Sequence, residues 1–595
     1  MHRHLSFFAI FLLFIYSFFI FFRPLGIDDL WTHLNMGQWI FQHKQVPYQD
    51  PFPYTHEKNP MIFQEWMGSL FIFLIYKSFG YLGLNIFRSL IFLLVLGIFL
   101  KYAFRRIPGS SLIFLGLLMI WGLSNRAGLR PDMFNFIFIQ IFLINLFSYE
   151  RNHNGRQLIL LPILGWIWAN LHFGSWAYGL LIIIMFLISS IVKLFTSPLK
   201  MKKQASQLGM LVFIYSSIFL FTPYGVDGFL YPFKSLLLPN HVNLYSYMNS
   251  VGEHLPPGYM FLSLNYVYLL ILFFLALTAI TSNRKTAFTS TLILMISTAM
   301  FLLMSRNVSF FVIASIYVIV ELTQNWKKEN NLWWPKTIER YALLTLIVFL
   351  SFLISCSLNE NIYYKNQAIK TVTLDIAPQI VATMDTFKRN QLQGPVFNIN
   401  IMGGPLLWFN GTLVHPFMNG HLLDQEKFNN TNAIMVNPEK FWPINEERYG
   451  FTSAILRWNV EFKLAYYLSH NLSWQLIAIH GPFLIYVKKE IFHLPKKIDN
   501  FEQQLRLTTA SFDDLKTLAY LNEHNQNIFQ NLFNDSRNDL VDEAAGMFVL
   551  GYQGAAIKTL IKTQKIGRNS YTHKITSQII SQLFMDSFRN PASKR

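Results

Sequence analysis

The sequence predicts a polytopic α-helical membrane protein with a small α/β domain and a helical tail after its last crossing. Three observations predict it: charge is scarce, apolar runs of spanning length recur through residues 1–357, and short β-type runs alternate with helical ones beyond. Only 14% of the 595 residues are charged and 52% are hydrophobic, whereas a water-covered domain carries roughly a quarter charged residues. That balance excludes a soluble globular enzyme, a disordered chain and a disulfide scaffold. The single cysteine, Cys356, can form no internal disulfide. The net charge of +17 falls between apolar segments instead of forming a patch, so it speaks for membrane topology and against nucleic acid.

Taken in order, residues 1–22 form a short basic start and a long apolar run. The run ends in Phe21-Phe22-Arg23-Pro24, with no small-residue cleavage site, and is expected to be an uncleaved first crossing. Further crossings are expected near 81–104, 111–124, 131–149, 157–172, 174–194, 207–221, 259–281, 287–303, 307–325 and 340–357. Residues 61–79 are apolar enough to span, yet counting them would invert everything downstream. If they do not span, sixteen basic residues lie in inner loops, among them Lys101, Arg105, Arg106, Arg151, Lys193, Lys200, Lys202 and Lys203. Eight then lie outside: Arg23, Lys44, Lys58, Lys77, Arg126, Arg130, Lys234 and Arg306. Because basic residues favour the cytoplasmic side, 61–79 reads as a re-entrant or interfacial helix. The expectation is eleven crossings over 1–357, a first outer loop at 23–80, and an external C-terminal part.

That part divides into a small α/β domain over 358–490 and a helical, repeat-like region over 491–595. Strands are expected at 395–399, 412–417, 453–456, 475–479 and 483–487. No glycine-rich phosphate loop occurs there.

The unusual polar residues gather on one side of this topology. The first outer loop carries Asp28, Asp29 and His33, then Asp50, then Glu65. On a helix starting at Asp28, Leu30, Trp31 and Leu34 share one face while Asp29, Thr32 and His33 share the other, so Asp29 and His33 can act on one ligand. The apolar face would lie along the membrane, with Trp31, Trp39 and Trp66 as interfacial anchors. Asp28 read alone also suits a helix N-cap. Outer ends of later crossings carry Arg126, Arg130, Asp132, Asn170, His172, His241, Glu253, His254 and Arg306. Charges at membrane depth usually mark a polar cavity or substrate path, and arginines suit phosphate because the planar fork bonds two anionic oxygens. Asp132 is the only acid expected to neutralise these arginines, which also suits headgroup snorkelling one residue at a time.

The run Asp29-Leu-Trp31-Thr-His33, followed by Gly37-x-Trp39, Val46-Pro47, Asp50-Pro51 and Glu65-Trp66, resembles bacterial multi-spanning membrane proteins related to the GT-C glycosyltransferases. The resemblance continues through Arg130-Pro-Asp132, Asn170-Leu-His172-Phe-Gly174, Pro223-Tyr-Gly225 and Arg306, and into Asn398 to Gly404 and Phe417-Met-Asn419. It covers roughly residues 5–490. The chain departs from the group at Thr32, where an aromatic is common, and at Asn419-x-His421, where Asp-x-Arg is common. The resemblance implies sugar transfer from a polyprenyl-phosphate carrier to an acceptor outside the cytoplasm, in a bacterial inner membrane. It implies Asp28 or Asp29 as the catalytic carboxylate and outer arginines on the lipid phosphate.

The residues alone leave alternatives open. Asp29 could be a base for the incoming hydroxyl, or Asp29 with Asp50 could hold a divalent metal such as Mg or Mn. His33 could orient the carboxylate or donate to a phosphate oxygen. Asp50, Glu65, Arg126, Arg130, Asp132, Asn170, His172 and Arg306 are the expected substrate-binding set. The acceptor, whether glycan, lipid or protein, is not legible. A transporter or lipid flippase, or a scaffold presenting the outer domains, are the competing classes, although no transporter-like internal repeat is visible.

Overall fold

The structure is a computed structural model of the whole chain. It describes residues 2–26, 29–52, 62–124, 126–195, 198–229, 253, 255–257, 267–282, 287–330, 335–367, 376–419, 425–492, 500–508, 539–566, 575–580 and 582. Two compact units form, one from Met1–Leu25, Met36–Gln49 and Pro60–Gln367, the other from Gly26–Asn35, Asp50–Asn59 and Ala368–Arg595.

The first unit is helical: α1 (His2–Phe21), the later turns of α2 (Leu30–His43), α3 (Trp66–Ala103), α4 (Gly109–Ser124), α5 (Asn135–Asn152), α6 (Arg156–Leu171), α7 (Trp176–Leu194), α8 (Pro198–Ser217), α9 (Val267–Ser282), α10 (Phe288–Leu303), α11 (Val308–Asn330) and α12 (Lys336–Gln367). Among the described residues six helices are long and apolar enough to cross a membrane, and α4, α9 and α10 are shorter apolar ones. This is a multi-pass membrane protein. The helical arms Trp66–Phe79 and Tyr81–Ala103 of α3 meet at a kink where Gly80 takes φ 64° and ψ −162°, a conformation essentially reserved for glycine, so the break expected between 61–79 and 81–104 is present.

Lipid offers little hydrophobic drive between helices, so packing and polar contacts must hold them. Aromatic rings interdigitate, as where Trp168 stacks on Phe138 at 5.2 Å and Trp176 on Tyr215 at 5.4 Å. Polar contacts gather at the two ends. At one end Glu321 accepts from Arg106 at 2.9 Å, from Arg151 and from Tyr102. Lys193 reaches Glu150 at 2.6 Å, and Ser110 Oγ donates to Glu339 at 2.5 Å. At the other end buried Arg88 donates to Phe21 O at 2.8 Å, to Arg23 O and to Asn85 Oδ1 at 2.9 Å. Hence α1 finishes where the second arm of α3 begins, and the two run in opposite directions.

The second unit holds a five-stranded sheet of β1 (Gly394–Asn398), β2 (Val414–Pro416), β3 (Ser453–Arg457), β4 (Trp474–His480) and β5 (Phe483–Lys488) in the order β2-β1-β3-β5-β4. β1 is parallel to β2 and β3, and the β3–β5–β4 part is antiparallel. All five expected strands are present. β4 and β5 read as near-continuous apolar runs because both faces are covered. Around the sheet lie α13 (Pro378–Arg389), α14 (Asn400–Asn410), α15 (Gln425–Val436), α16 (Pro438–Tyr449) and α17 (Phe462–His470). Trp442, Phe397, Phe417, Phe451 and Trp474 form its aromatic core. Beyond it α18 (Phe501–Leu507), α19 (Asp539–Val549) and α20 (Gln553–Ile566) are described, the last two packed as a pair.

Candidate functional site

Polar residues converge in each unit. In the helical unit they sit at the end where α1 finishes. Residues 126–134 leave α4, form a 3₁₀ turn at Pro131–Phe134 and enter α5. Within that stretch Arg126 Nη2 lies 2.5 Å from Asp132 Oδ2, and Arg130 Nη2 lies 3.6 Å from the same oxygen. Glu253 pairs with Arg126 and lies 3.6 Å from Arg130. Its backbone carbonyl accepts from Ser305 Oγ at 3.0 Å, beside Arg306. Burial opposes its charge, but Arg126, Arg130 and Arg306 outweigh burial and hold its carboxyl at about 2. The expectation that only Asp132 neutralises these arginines is therefore corrected. Glu253 lies 127 residues from Arg126, and nothing local in the sequence announces the pairing.

His172 lies beside this group, with Nε2 3.5 Å from Glu65 and Nδ1 2.7 Å from Ser175 Oγ. Asn135 Nδ2 donates to that hydroxyl at 2.7 Å and its Oδ1 accepts from Trp168 at 2.7 Å. Asn170 Oδ1 accepts from Trp66 Nε1 at 3.2 Å. The Pro223-Tyr224 motif pins the first loop: Tyr48 OH donates to Pro223 O at 2.9 Å, and Tyr224 OH donates to Pro47 O at 3.0 Å and accepts from Phe63 N at 2.9 Å.

In the second unit the start of α2 packs on α14. Asn35 Nδ2 donates to Gly404 O at 2.9 Å, and the Trp31 ring lies 4.9 Å from Phe409. Two sequence expectations are corrected here. Trp31 is fully buried and donates to Gly26 O at 3.0 Å instead of anchoring in the interface. Thr32 and His33, expected on the helix face opposite Trp31, are buried with it. Asp29 is half-buried and its carbonyl accepts from His33 N at 3.0 Å, placing the pair one turn apart. Asp28, His241, His254 and His421 lie outside the described residues.

Gly403 and Gly404 make the packing possible. A Cβ on Gly404 would fall 2.8 Å from Thr32 N and 3.0 Å from Trp31 Cβ, and one on Gly403 would fall 3.0 Å from Asn419 Cα. Asn398, at the end of β1, donates to Met418 O at 2.8 Å. The runs 398–404 and 417–419, quoted for the family resemblance, are thus neighbours in space. Sequence reasoning missed Lys427, a buried lysine on α15 whose charge acts on Asp50. A cation at a buried helical position was the available signal. Among the described residues no three His, Cys, Asp or Glu side chains group as a metal requires.

No family model and no curated protein matches the chain. Among solved structures it is similar to the oligosaccharyltransferase of Archaeoglobus fulgidus in its apo form, at TM-score 0.48 and 12% identity over 79% of this chain and 71% of that one. It is similar to the archaeal oligosaccharyltransferase AglB of the same organism, in complex with an inhibitory peptide and a dolichol-phosphate, at TM-score 0.49 and 10% identity over 90% and 84%. It is also similar to ArnT from Cupriavidus metallidurans bound to undecaprenyl phosphate, at TM-score 0.48 and 12% identity over 82% and 98%. Likeness at this level carries no residue correspondence.

Proposed function

We propose that the protein is a GT-C-type membrane glycosyltransferase that moves a sugar from a polyprenyl-phosphate carrier to an acceptor outside the cytoplasm. The observation that carries this reading is the gathering of Arg126, Arg130 and Arg306 with Asp132, Glu253 and His172 at one end of the helical unit. Buried Asp132 and half-buried Glu253 hold the guanidiniums, and a planar guanidinium offers paired donors to phosphate oxygens. A donor whose tail lies in the bilayer reaches such a site sideways. Because Glu253 already engages two of the arginines, the donor phosphate shares them with it or displaces it.

In the transfer, the acceptor hydroxyl gives its proton to a carboxylate as its oxygen attacks the anomeric carbon. The bond from that carbon to the phosphate oxygen breaks, and the electron pair leaves on the phosphate. Asp29 is the base in this reading, with Asp28 its neighbour and His33 its orienting group. Lys427 beside Asp50 disfavours a divalent cation at that carboxylate, so charge on the departing phosphate is left to the arginines. The reading also takes eleven crossings, with 61–79 along the outer face and the α/β domain outside the cytoplasm. The opposed directions of α1 and the second arm of α3 support it, since residues 22–80 then start and finish at one end of the bundle.

The test is purification in mild detergent with mass spectrometry of co-purifying lipids. A polyprenyl-phosphate sugar is expected with the wild type and lost in Arg130→Ala and Arg306→Ala. Arg130→Lys should weaken it further than its kept charge suggests. Asp29→Asn should keep the lipid and slow release of its sugar by about 10²–10⁴-fold, the usual worth of a general base. Ordinary phospholipid, unchanged by either arginine substitution, would sink the reading and leave the arginines as headgroup anchors. Undiminished turnover in Asp28→Asn, Asp29→Asn and the double variant would remove the base.

A further inference from the structure

The second unit buries a polar group that the transfer chemistry above does not use. Asp50 is 4% exposed and Asn419 9% exposed. The Asp50 Oδ1 accepts from Phe52 N at 2.9 Å, while its Oδ2 has no hydrogen-bond partner among the described residues. Asn419 is more extreme, because neither its Nδ2 nor its Oδ1 has one among them. A buried polar atom without a partner is destabilising unless a ligand meets it.

The locality is defined by α15. Lys427 and Thr431, one turn apart on that helix, face the segment before Asn419: Lys427 Nζ lies 5.8 Å from the Phe417 ring centroid, and Thr431 Oγ1 donates to Met418 Sδ at 3.0 Å. Lys427 also acts on Asp50 by its charge. Asn398 holds the Met418 carbonyl at 2.8 Å, and Gly403 abuts Asn419. The backbone around Asn419 is thereby fixed on two sides before any ligand arrives.

We propose that Asp50, Asn419 and Lys427 form a saccharide-binding subsite that holds vicinal hydroxyls of a sugar ring. A carboxylate supplies only acceptors, an ammonium only donors, and an amide both. Adjacent hydroxyls both donate and accept, so a sugar can satisfy all three groups at once. A phosphate would meet Asp50 with like charge, and a divalent cation would meet Lys427. The choice of sugar among polyhydroxyl ligands rests on the glycosyl-transfer reading, while the donor and acceptor atoms stand without it.

The experiment is saturation-transfer NMR on the full-length protein, in a detergent without a sugar headgroup, with methyl glycosides of glucose, galactose, mannose and N-acetylglucosamine. Transfer to the ring protons of at least one glycoside is expected, with a loss of fivefold or more in Asn419→Ala and Lys427→Met. Deuterium exchange on the wild type supplies a readout independent of how the variants fold: the bound glycoside should slow exchange in peptides containing Asn419 and Lys427. Arg130→Ala, which disables the proposed phosphate site, should leave glycoside binding intact, so the two ideas can fail separately. No transfer from any glycoside, or transfer indifferent to both substitutions without protection at those peptides, would overturn the subsite.

Discussion

At the residue scale, buried polar groups separate what the sequence could show from what it could not. Burial raises the carboxyl of Asp50 above its ordinary value near 3.8, against the Phe52 hydrogen bond and the Lys427 charge. A carboxyl raised in the folded state binds its proton more tightly there, so its contribution to stability is complete below the unfolded value and lost as pH rises through the folded one. Above that value the protein carries a buried charge at Asp50, one of whose oxygens has no partner among the described residues. The apparent melting temperature of Asp50→Asn in detergent should exceed that of the wild type at pH 7, and the gap should close toward pH 4. A gap indifferent to pH would show that Asp50 bears no burial penalty. Glu253 behaves oppositely: depressed to about 2, its ion pairs are complete above the free-glutamate value and persist through any working pH. Asp29, His33, Arg126 and Arg130 could be singled out from sequence because charge beside apolar runs is visible there. That Thr32 and His33 would be buried could not, because what covers that turn, α14, is supplied some 370 residues later, as the 369-residue separation of Asn35 and Gly404 illustrates.

At the element scale, periodic elements were legible and their partnerships were not. β1 to β5 could be read because β-branched and aromatic runs lie between turn residues. The break between the two arms of α3 could be read too, since Gly80 divides the apolar runs 61–79 and 81–104. The contact between α2 and α14 depends on a glycine pair whose purpose only the fold reveals. Gly404→Ala would drive a methyl group against Thr32 N and Trp31 Cβ, and a backbone nitrogen cannot swing aside as a side-chain tip does. Overpacking of this kind costs about 1–3 kcal/mol, so a lower melting temperature is expected together with lost activity. Gly97→Ala and Gly209→Ala, where nothing lies within 4 Å of the new carbon, are the controls and should lose neither. Equal tolerance at all three positions would mean that α2 and α14 do not pack closely in the membrane.

At the scale of the whole molecule the open question is which side of the membrane carries the chemistry, and it turns on the first arm of α3. That arm, Trp66–Phe79, spans about 21 Å at 1.5 Å per residue, short of a hydrocarbon layer of about 30 Å. The second arm, Tyr81–Ala103, spans about 34 Å by the same rise. The polar contacts at the other end of the bundle carry the same implication. Arg106 follows the end of α3 and Arg151 lies in the last turn of α5, and both pair with Glu321 of α11, so α3 and α5 finish at one end of the bundle. Lys193, at the close of α7, joins them through Glu150. These basic residues belong to the set that favours the cytoplasm, and on the proposed topology the arginine cluster, at the other end of the same unit, faces outward. Reporter fusions after Lys203 and Lys285 should accordingly read as cytoplasmic, and a fusion after Arg595 as external. If the Arg595 fusion reads as cytoplasmic while the other two read as external, residues 61–79 cross the membrane. The arginine cluster would then face the cytoplasm, where the proposed transfer to an outer acceptor cannot occur.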